Sequence, residues 1–158
     1  GAPSESHPAF RPHLMQGYFN DPERTAAAFA GGWFHSGDLA TIDDEGYISV
    51  VDRKKDMIKT GGENVASREV EEAIYRLPAV SEVAVVALSV SRWVEAVTAV
   101  VVVKDGEELD EATVIAYCRD HLAHFKCPKR VIFADNLPRN PSGKILKRNL
   151  RALYESAG

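Results

Sequence analysis

Apolar and polar positions change rhythm several times along the chain. Gly1 to Pro12 have no period and are rich in Pro, Ser and His. Without a basic start followed by an apolar run, this stretch does not read as a secretion signal, and it is expected to be a linker or an appended expression scar. The missing initiating Met fits a piece cut from a longer protein. Asp21-Pro22-Glu23 then opens a short helix over Glu23–Phe29: Asp caps, Pro suits the first turn, and Gly31-Gly32 closes it. From Trp33 the pattern turns to strands. Leu39–Ile42 and Tyr47–Val51 flank Asp43-Asp44-Glu45-Gly46 and predict a hairpin.

Asp52-Arg53-Lys54-Lys55-Asp56 is a dense charge run between apolar stretches, read as a unit boundary or a solvated turn. Gly61-Gly62-Glu63-Asn64 reads as a loop. Ser67 is expected to cap a helix whose Val70, Ala73, Ile74 and Leu77 recur at helical spacing until Pro78 ends it. Val80–Leu88 and Ala96–Val103 are Val-rich strands joined by a short link containing Trp93, which suggests an antiparallel pair. Asp110 caps a helix over Glu111–Leu122 with Val114, Ile115, Cys118 and Leu122 on one face. Val131–Phe133 is a further strand and Leu146–Tyr154 a last helix. Helices and strands in this mixed order predict an α+β fold with a short, mainly antiparallel sheet flanked by helices, preceded by a stub containing a β-hairpin. There is no internal repeat.

Composition narrows the class. A chain of 158 residues with 45% apolar and 27% charged residues is that of a soluble globular protein, one domain or one plus a piece. No apolar run approaches the roughly 20 residues of a membrane span. Cys118 and Cys127 have neither zinc-finger spacing nor the density of a disulfide scaffold, so a reducing cytoplasm is the simplest setting. The five histidines are scattered and there is no HExxH or CxxC. A net charge of −4 gives no global reason to expect nucleic acid. Locally the balance reverses: Lys126, Lys129, Arg130, Arg139, Lys144, Lys147, Arg148 and Arg151 face only Asp120 and Asp135. Such a field attracts polyphosphates, or is a solvated basic face; the sparse aromatics, Phe125 and Phe133, argue against nucleic acid.

Two local signals bear on chemistry. Pro138-Arg139-Asn140-Pro141-Ser142-Gly143-Lys144 is not a Walker loop, because Pro138 stands where Gly is needed and Ile145 where Ser or Thr is needed. It is a Pro-stiffened turn offering Lys144 from a Gly-flexible tip, either to a phosphate or carboxylate held by another domain or simply to solvent. His35-Ser36-Gly37-Asp38 places a carboxylate just past a glycine, suited to a sugar diol and equally to ordinary turn chemistry.

Taken in order, these segments resemble the C-terminal part of an AMP-forming acyl-CoA synthetase of the adenylate-forming superfamily, close to fatty-acyl-CoA ligases. The likeness is carried by Gly17-Tyr18-Phe19-Asn20-Asp21-Pro22-Glu23-Arg24-Thr25, Gly32-Trp33-Phe34-His35-Ser36-Gly37-Asp38-Leu39 and Asp43-Asp44-Glu45-Gly46-Tyr47. It continues through Asp52-Arg53-Lys54-Lys55-Asp56-Met57-Ile58-Lys59 and Gly61-Gly62-Glu63-Asn64-Val65 to the Pro138–Lys144 turn, covering Pro12 to Tyr154 without a gap. The resemblance implies residues 13–52 as the tail of a large N-terminal adenylation domain and 53–158 as a mobile C-terminal domain. It implies a two-step reaction in which a small-molecule carboxylic acid attacks ATP to give an acyl-adenylate, and coenzyme A then displaces AMP. Asp38 and Arg53 would bind the nucleotide, Lys55 would be the hinge, and Lys144 the adenylation lysine. Lys59, Gly61, Gly62 and Glu63 would serve the thioester step, with Trp93, Phe125 and Lys129 holding coenzyme A. Magnesium and the triphosphate would be held mostly by the large N-terminal domain, so the isolated chain is expected to be inactive.

The sequence departs from the family pattern at three places. Val94 replaces a turn glycine beside Trp93, Cys127 stands where several relatives have Arg, and Ser36 replaces a Thr. The resemblance also makes Lys144 a target for a protein lysine acetyltransferase. A carrier-protein adenylating enzyme is the runner-up within the superfamily, distinguished by its acceptor; a non-catalytic binding module that keeps the fold is the rival from another class. Trp33, Phe34, Ile42 and Tyr47 are expected to pack on the C-terminal domain, pair with another copy, or lack order.

Overall fold

Residues 14–91 and 94–155 are described by the computed structural model, in which the chain divides into two compact units, Gly1–Asp38 and Leu39–Gly158. In the first unit, helix α1 spans Pro22–Ala28. Asp21 Oδ1 accepts the Arg24 N–H at 2.9 Å, and Pro22 takes the first helical position, where a missing N–H costs nothing. Thr25 Oγ1 accepts the Tyr18 N–H at 2.9 Å and donates to the Asp21 carbonyl at 2.7 Å, so the segment before the helix folds back on its first turn.

The expected hairpin follows, β1 (Asp38–Ile42) and β2 (Ile48–Arg53), which from Leu39 onward belongs to the second unit. Asp43 Oδ1 gathers the N–H groups of Glu45 and Tyr47 at 3.0 and 2.8 Å, and Gly46 supplies the left-handed conformation the turn requires. Trp33, Ile42 and Tyr47 are exposed, and Phe34 lies against the Phe29 ring with centroids 5.4 Å apart.

Beyond the hairpin come β3 (Ile58–Thr60), β4 (Glu63–Val65), α2 (Ser67–Ile74), β5 (Val80–Ser91), β6 (Val94–Val103), α3 (Glu111–His121), β7 (Arg130–Phe133) and α4 (Lys147–Glu155). The sheet order is β5-β6-β7, with β5 and β6 antiparallel as expected and β7 parallel to β6. A parallel return needs a long crossover, and α3 supplies it. Both sheet faces are covered, which explains why β5 and β6 read as unbroken Val-rich runs rather than alternating ones. Val83, Val85, Ala87, Val97, Ala99 and Val101 pack with Ile58, Val65 and residues of α2 and α3. The intervening positions Ala84, Val86, Leu88 and Val100 pack with Leu137, Ile145 and Leu150. No helix among the described residues is long and apolar enough to cross a membrane.

Three local expectations are corrected. Gly61-Gly62-Glu63-Asn64 is not a loop. β3 and β4 pair with Thr60 opposite Glu63, so the turn is only Gly61-Gly62, and both have positive φ, the requirement of a tight hairpin. Ser67 does not cap α2. The capping position is Ala66, and the free N–H of Arg68 is met by Asp52 Oδ2 at 3.3 Å, while Ser67 Oγ donates to the same oxygen at 2.8 Å. A carboxylate fifteen residues upstream thus caps the helix, which no local pattern encodes. For the same reason the Asp52–Asp56 run is not simply a solvated turn, because Asp52 and Asp56 are both buried.

The Asp52 contact belongs to a larger polar cluster. The Lys147 ammonium of α4 lies 2.7 Å from Glu71 Oε1 and donates to Ser67 Oγ at 2.7 Å, with only 17% of its side chain exposed. Glu71 also accepts the Val85 N–H of edge strand β5 at 2.8 Å. Burial raises the Glu71 carboxyl above its ordinary 4.5, and Lys147 pulls it back. A carboxyl raised in the folded state favours the protonated form, so its cost grows as pH rises above the unfolded value. Lys147→Met removes the opposing pull and leaves a buried anion unpaired. The expected loss is about 3 kcal/mol near pH 7 and smaller at pH 5, because lowering the pH favours the neutral carboxyl and relieves the unpaired charge. Urea unfolding at the two pH values measures it. An equal loss at both would mean that packing, not charge, makes Lys147 matter.

Candidate functional site

Lys144 sits at the end of a closed turn. The Asn140 N–H donates to the Lys144 carbonyl at 2.9 Å, the Gly143 N–H to the Asn140 carbonyl at 2.9 Å, and the Leu146 N–H to the Pro138 carbonyl at 2.8 Å. Asn140 Oδ1 accepts the Lys144 N–H and the Ser142 hydroxyl, both at 2.8 Å. The expected Gly-flexible tip is therefore tightly bonded. Gly143 is needed for its φ of 81°, not for mobility. The Lys144 side chain is exposed, and no hydrogen bond or ion pair among the described residues engages its ammonium.

Lys55 lies exposed in a 3-10 turn, Lys54–Asp56, gripped at both ends. On one side Asp52 accepts from Ser67 and from the backbone of Arg53 and Arg68. On the other, Asp56 pairs with Arg151 of α4 at 3.0 Å. Arg151 meets the Asp56 end directly, and Lys147, one helical turn earlier on α4, reaches the Asp52 end only through Ser67. Arg53 is exposed at the end of β2.

Lys59, Gly61, Gly62 and Glu63 cluster on the β3–β4 hairpin and all are exposed. The Lys59 N–H donates to Glu95 Oε2 at 2.8 Å, which ties the hairpin to the start of β6. Phe125, 38% exposed, lies in a 3-10 turn (His124–Lys126) packed against β4. That turn is fixed by the bond of Lys126 to both Glu69 oxygens at 2.7 and 2.8 Å. Lys129 is exposed just before β7, its N–H donated to the Val97 carbonyl at 2.8 Å. Trp93 lies outside the described residues. Cys127 is buried in the core, its thiol pushed up mainly by burial and pulled back by Lys129 and Arg119. At this position the chain spends a core side chain where a cation would reach solvent.

These residues fall into two sets on opposite faces of the sheet. Ile58 and Val65 anchor the hairpin of Lys59–Glu63 in the cluster beneath one face; Leu137 and Ile145 anchor the Lys144 turn beneath the other. Asp38 belongs to the first compact unit, where it is exposed with its N–H donated to Ser36 Oγ at 3.2 Å. What sequence reasoning missed is the holding apparatus: Arg139 and Asn140 beside Lys144, and Asp52, Ser67 and Lys147 beneath the Lys55 turn. Their only sequence signal was membership of charged or polar runs that also occur on solvated surfaces.

Comparison with known proteins identifies what the chain is similar to. Residues 69–144 match the family model of the AMP-binding enzyme C-terminal domain. The chain is 50% identical over 143 residues to the long-chain-fatty-acid–CoA ligase FadD13 of Mycobacterium tuberculosis, covering 90% of this chain and 28% of the ligase. It is 49% identical to the feruloyl-CoA synthase of an Amycolatopsis species, covering 90% of this chain and 29% of the synthase. Among solved structures, ATP-bound MatB from Rhodopseudomonas palustris superposes with a TM-score of 0.83 at 43% identity, over 92% of this chain and 29% of MatB. A fatty acyl-CoA synthetase of Mycobacterium tuberculosis superposes with a TM-score of 0.68 at 49% identity, over 91% and 28%. The chain thus spans less than a third of the length of these relatives. Over residues 69–144 the chain carries the AMP-binding enzyme C-terminal domain, and along nine-tenths of its length it is similar to the C-terminal part of acyl-CoA ligases.

Proposed function

We propose that the chain is the mobile C-terminal part of an ATP-dependent, AMP-forming ligase that joins a carboxylic acid to coenzyme A. The observation that carries this reading is the placement of two candidate residue sets on opposite sheet faces. A domain that turns between two half-reactions needs such a construction, with one face for each step. With 53–158 as the turning domain and 13–52 as the tail of a larger one, Lys55 is the pivot. Its segment is held at Asp52 and Asp56 while the Lys54-Lys55 pair stays in solvent.

In the first step Lys144 reaches the attacking carboxylate and the α-phosphate together. Charge builds on the phosphate oxygens as the acyl–phosphate bond forms and pyrophosphate leaves, and a fixed ammonium stabilises that state more than the ground state. Asp38 and Arg53 hold the nucleotide, the carboxylate accepting from ribose hydroxyls. In the second step the opposite face turns in. Gly61 and Gly62 let the coenzyme A arm pass close to the backbone, with Lys59 and Glu63 beside it, while Phe125, Trp93 and Lys129 take its nucleotide. Among the described residues no three His, Cys, Asp or Glu side chains gather as a metal site. Magnesium and the triphosphate would be held mostly by the large N-terminal domain. The long-chain-fatty-acid and feruloyl relatives support a hydrophobic acid as substrate, and the two free, buried thiols suit a cytoplasmic setting.

The test uses the full-length enzyme carrying this chain, wild type against Lys144→Ala, with the half-reactions assayed apart. Pyrophosphate exchange is expected to fall by ~10² or more, while conversion of preformed acyl-adenylate to thioester is largely kept. Equal rates in both assays would make Lys144 a surface lysine and remove the mechanism.

The exposed, unengaged Lys144 ammonium is also open to acetylation, which would cancel its charge and silence the first step while sparing the second. Incubation with a protein acetyltransferase and acetyl-CoA, followed by peptide mass spectrometry, is expected to find acetyl-Lys144. An unmodified Lys144 peptide would count against it.

A further inference from the structure

The backbone N–H and carbonyl groups of both Gly143 and Lys144 are hydrogen-bonded. Its N–H goes to Asn140 Oδ1 at 2.8 Å and its carbonyl takes the Asn140 N–H at 2.9 Å. The preceding carbonyl, that of Gly143, accepts Arg139 Nη1 at 2.6 Å. The peptide unit from Gly143 to Lys144 is therefore pinned at both of its polar ends. Arg139 does more than close the turn, because its other nitrogen, Nη2, lies 2.7 Å from Glu82 Oε2 on β5. One planar guanidinium thus connects the residue before Lys144 to a long strand of the sheet, using two arms that a lysine's single ammonium does not supply. Three residues downstream, Lys147 fastens the start of α4 to Ser67 and Glu71.

We infer that Arg139 is a positioning residue for Lys144: by bridging the Gly143 carbonyl to Glu82, it fixes the point and direction from which the Lys144 stem leaves the backbone. This rests on the adenylation role proposed above for Lys144. The Lys144 side chain itself is free and rotates about several bonds, so its reach is accurate only if its Cα is. A misplacement of about 1 Å at a reacting group costs on the order of 10²-fold in rate, so a modest loosening of the turn is measurable. Folding stability does not depend on the bridge to a comparable extent. The Arg139 and Glu82 side chains are 42% and 34% exposed, and surface pairs of this kind contribute little. A residue that matters for rate and not for stability is what a positioning role requires.

The experiment compares wild type, Arg139→Met, Lys144→Ala and the double variant of the full-length enzyme, with Glu82→Gln as a second way of weakening the bridge. Arg139→Met is expected to lower the maximal rate of pyrophosphate exchange about tenfold with the thioester half-reaction within about twofold of wild type, and Glu82→Gln to lower exchange less. Arg139→Met should add nothing to Lys144→Ala, since it acts through that lysine. Two results overturn the inference while leaving the Lys144 role intact: full exchange by Arg139→Met, or a further loss in the double variant, which would mean that Arg139 contacts substrate directly. Unchanged exchange by Lys144→Ala is the separate result that overturns the functional reading and this inference with it.

Discussion

One buried ammonium holds the second unit together. Lys147 projects from α4 into the junction of α2, β5 and the end of β2, where Ser67, Glu71 and, through Ser67, Asp52 surround it. A charge taken from water needs partners, and each partner here serves a second element: Asp52 caps α2, and Glu71 satisfies an edge-strand N–H of β5. The end of β2, the first turn of α2, the sheet edge and the helix that follows the Lys144 turn thereby share a single hydrogen-bonded cluster. The opposite sheet edge is treated similarly: Glu111 of α3 accepts the Val131 N–H of β7 at 2.7 Å. Both edges of the three-stranded sheet are thus met by a glutamate from a neighbouring helix, which removes backbone donors that would otherwise invite pairing with another chain.

The functional arrangement follows from how the sheet is clothed. Period-2 alternation sends successive side chains of β5 and β6 to opposite faces, and two separate apolar clusters form. Whatever is anchored in one cluster is displayed on that side alone. The Lys59–Glu63 hairpin and the Phe125 turn belong to one side, the Lys144 turn to the other. The proposed reaction of two steps at one site would draw on one set of groups for each step.

Rigidity is distributed in a way that suits that task. The turn bearing Lys144 looks loose in sequence, with two prolines, a glycine and polar residues, yet its backbone donors and acceptors are paired within it and its arginine is braced to β5. The freedom left to it is in the lysine side chain. In the Asp52–Asp56 segment, the two end acids are buried and bonded, while Lys54 and Lys55 between them are exposed. Backbone in both segments is bonded, while Lys54, Lys55 and Lys144 lie exposed.

Much of this was legible from residue order alone. The helices, the hairpin at Asp43–Gly46 and the Val-rich strand pair follow from local rules of capping, turn chemistry and periodicity, which act over a few residues, and the succession of motifs from Gly17 to Lys144 pointed to the family. What the sequence could not state is which charges meet. That Asp52 caps a helix beginning at Ser67, that Lys147 closes on Glu71, that Arg139 reaches Glu82, and that the hairpin and the Lys144 turn lie on opposite faces are all matters of long-range packing. Charged runs look alike whether they are solvated or buried. Only the tertiary structure, by bringing residues tens of positions apart within 3 Å and excluding water around some of them, decides which become fastenings and which remain free to act.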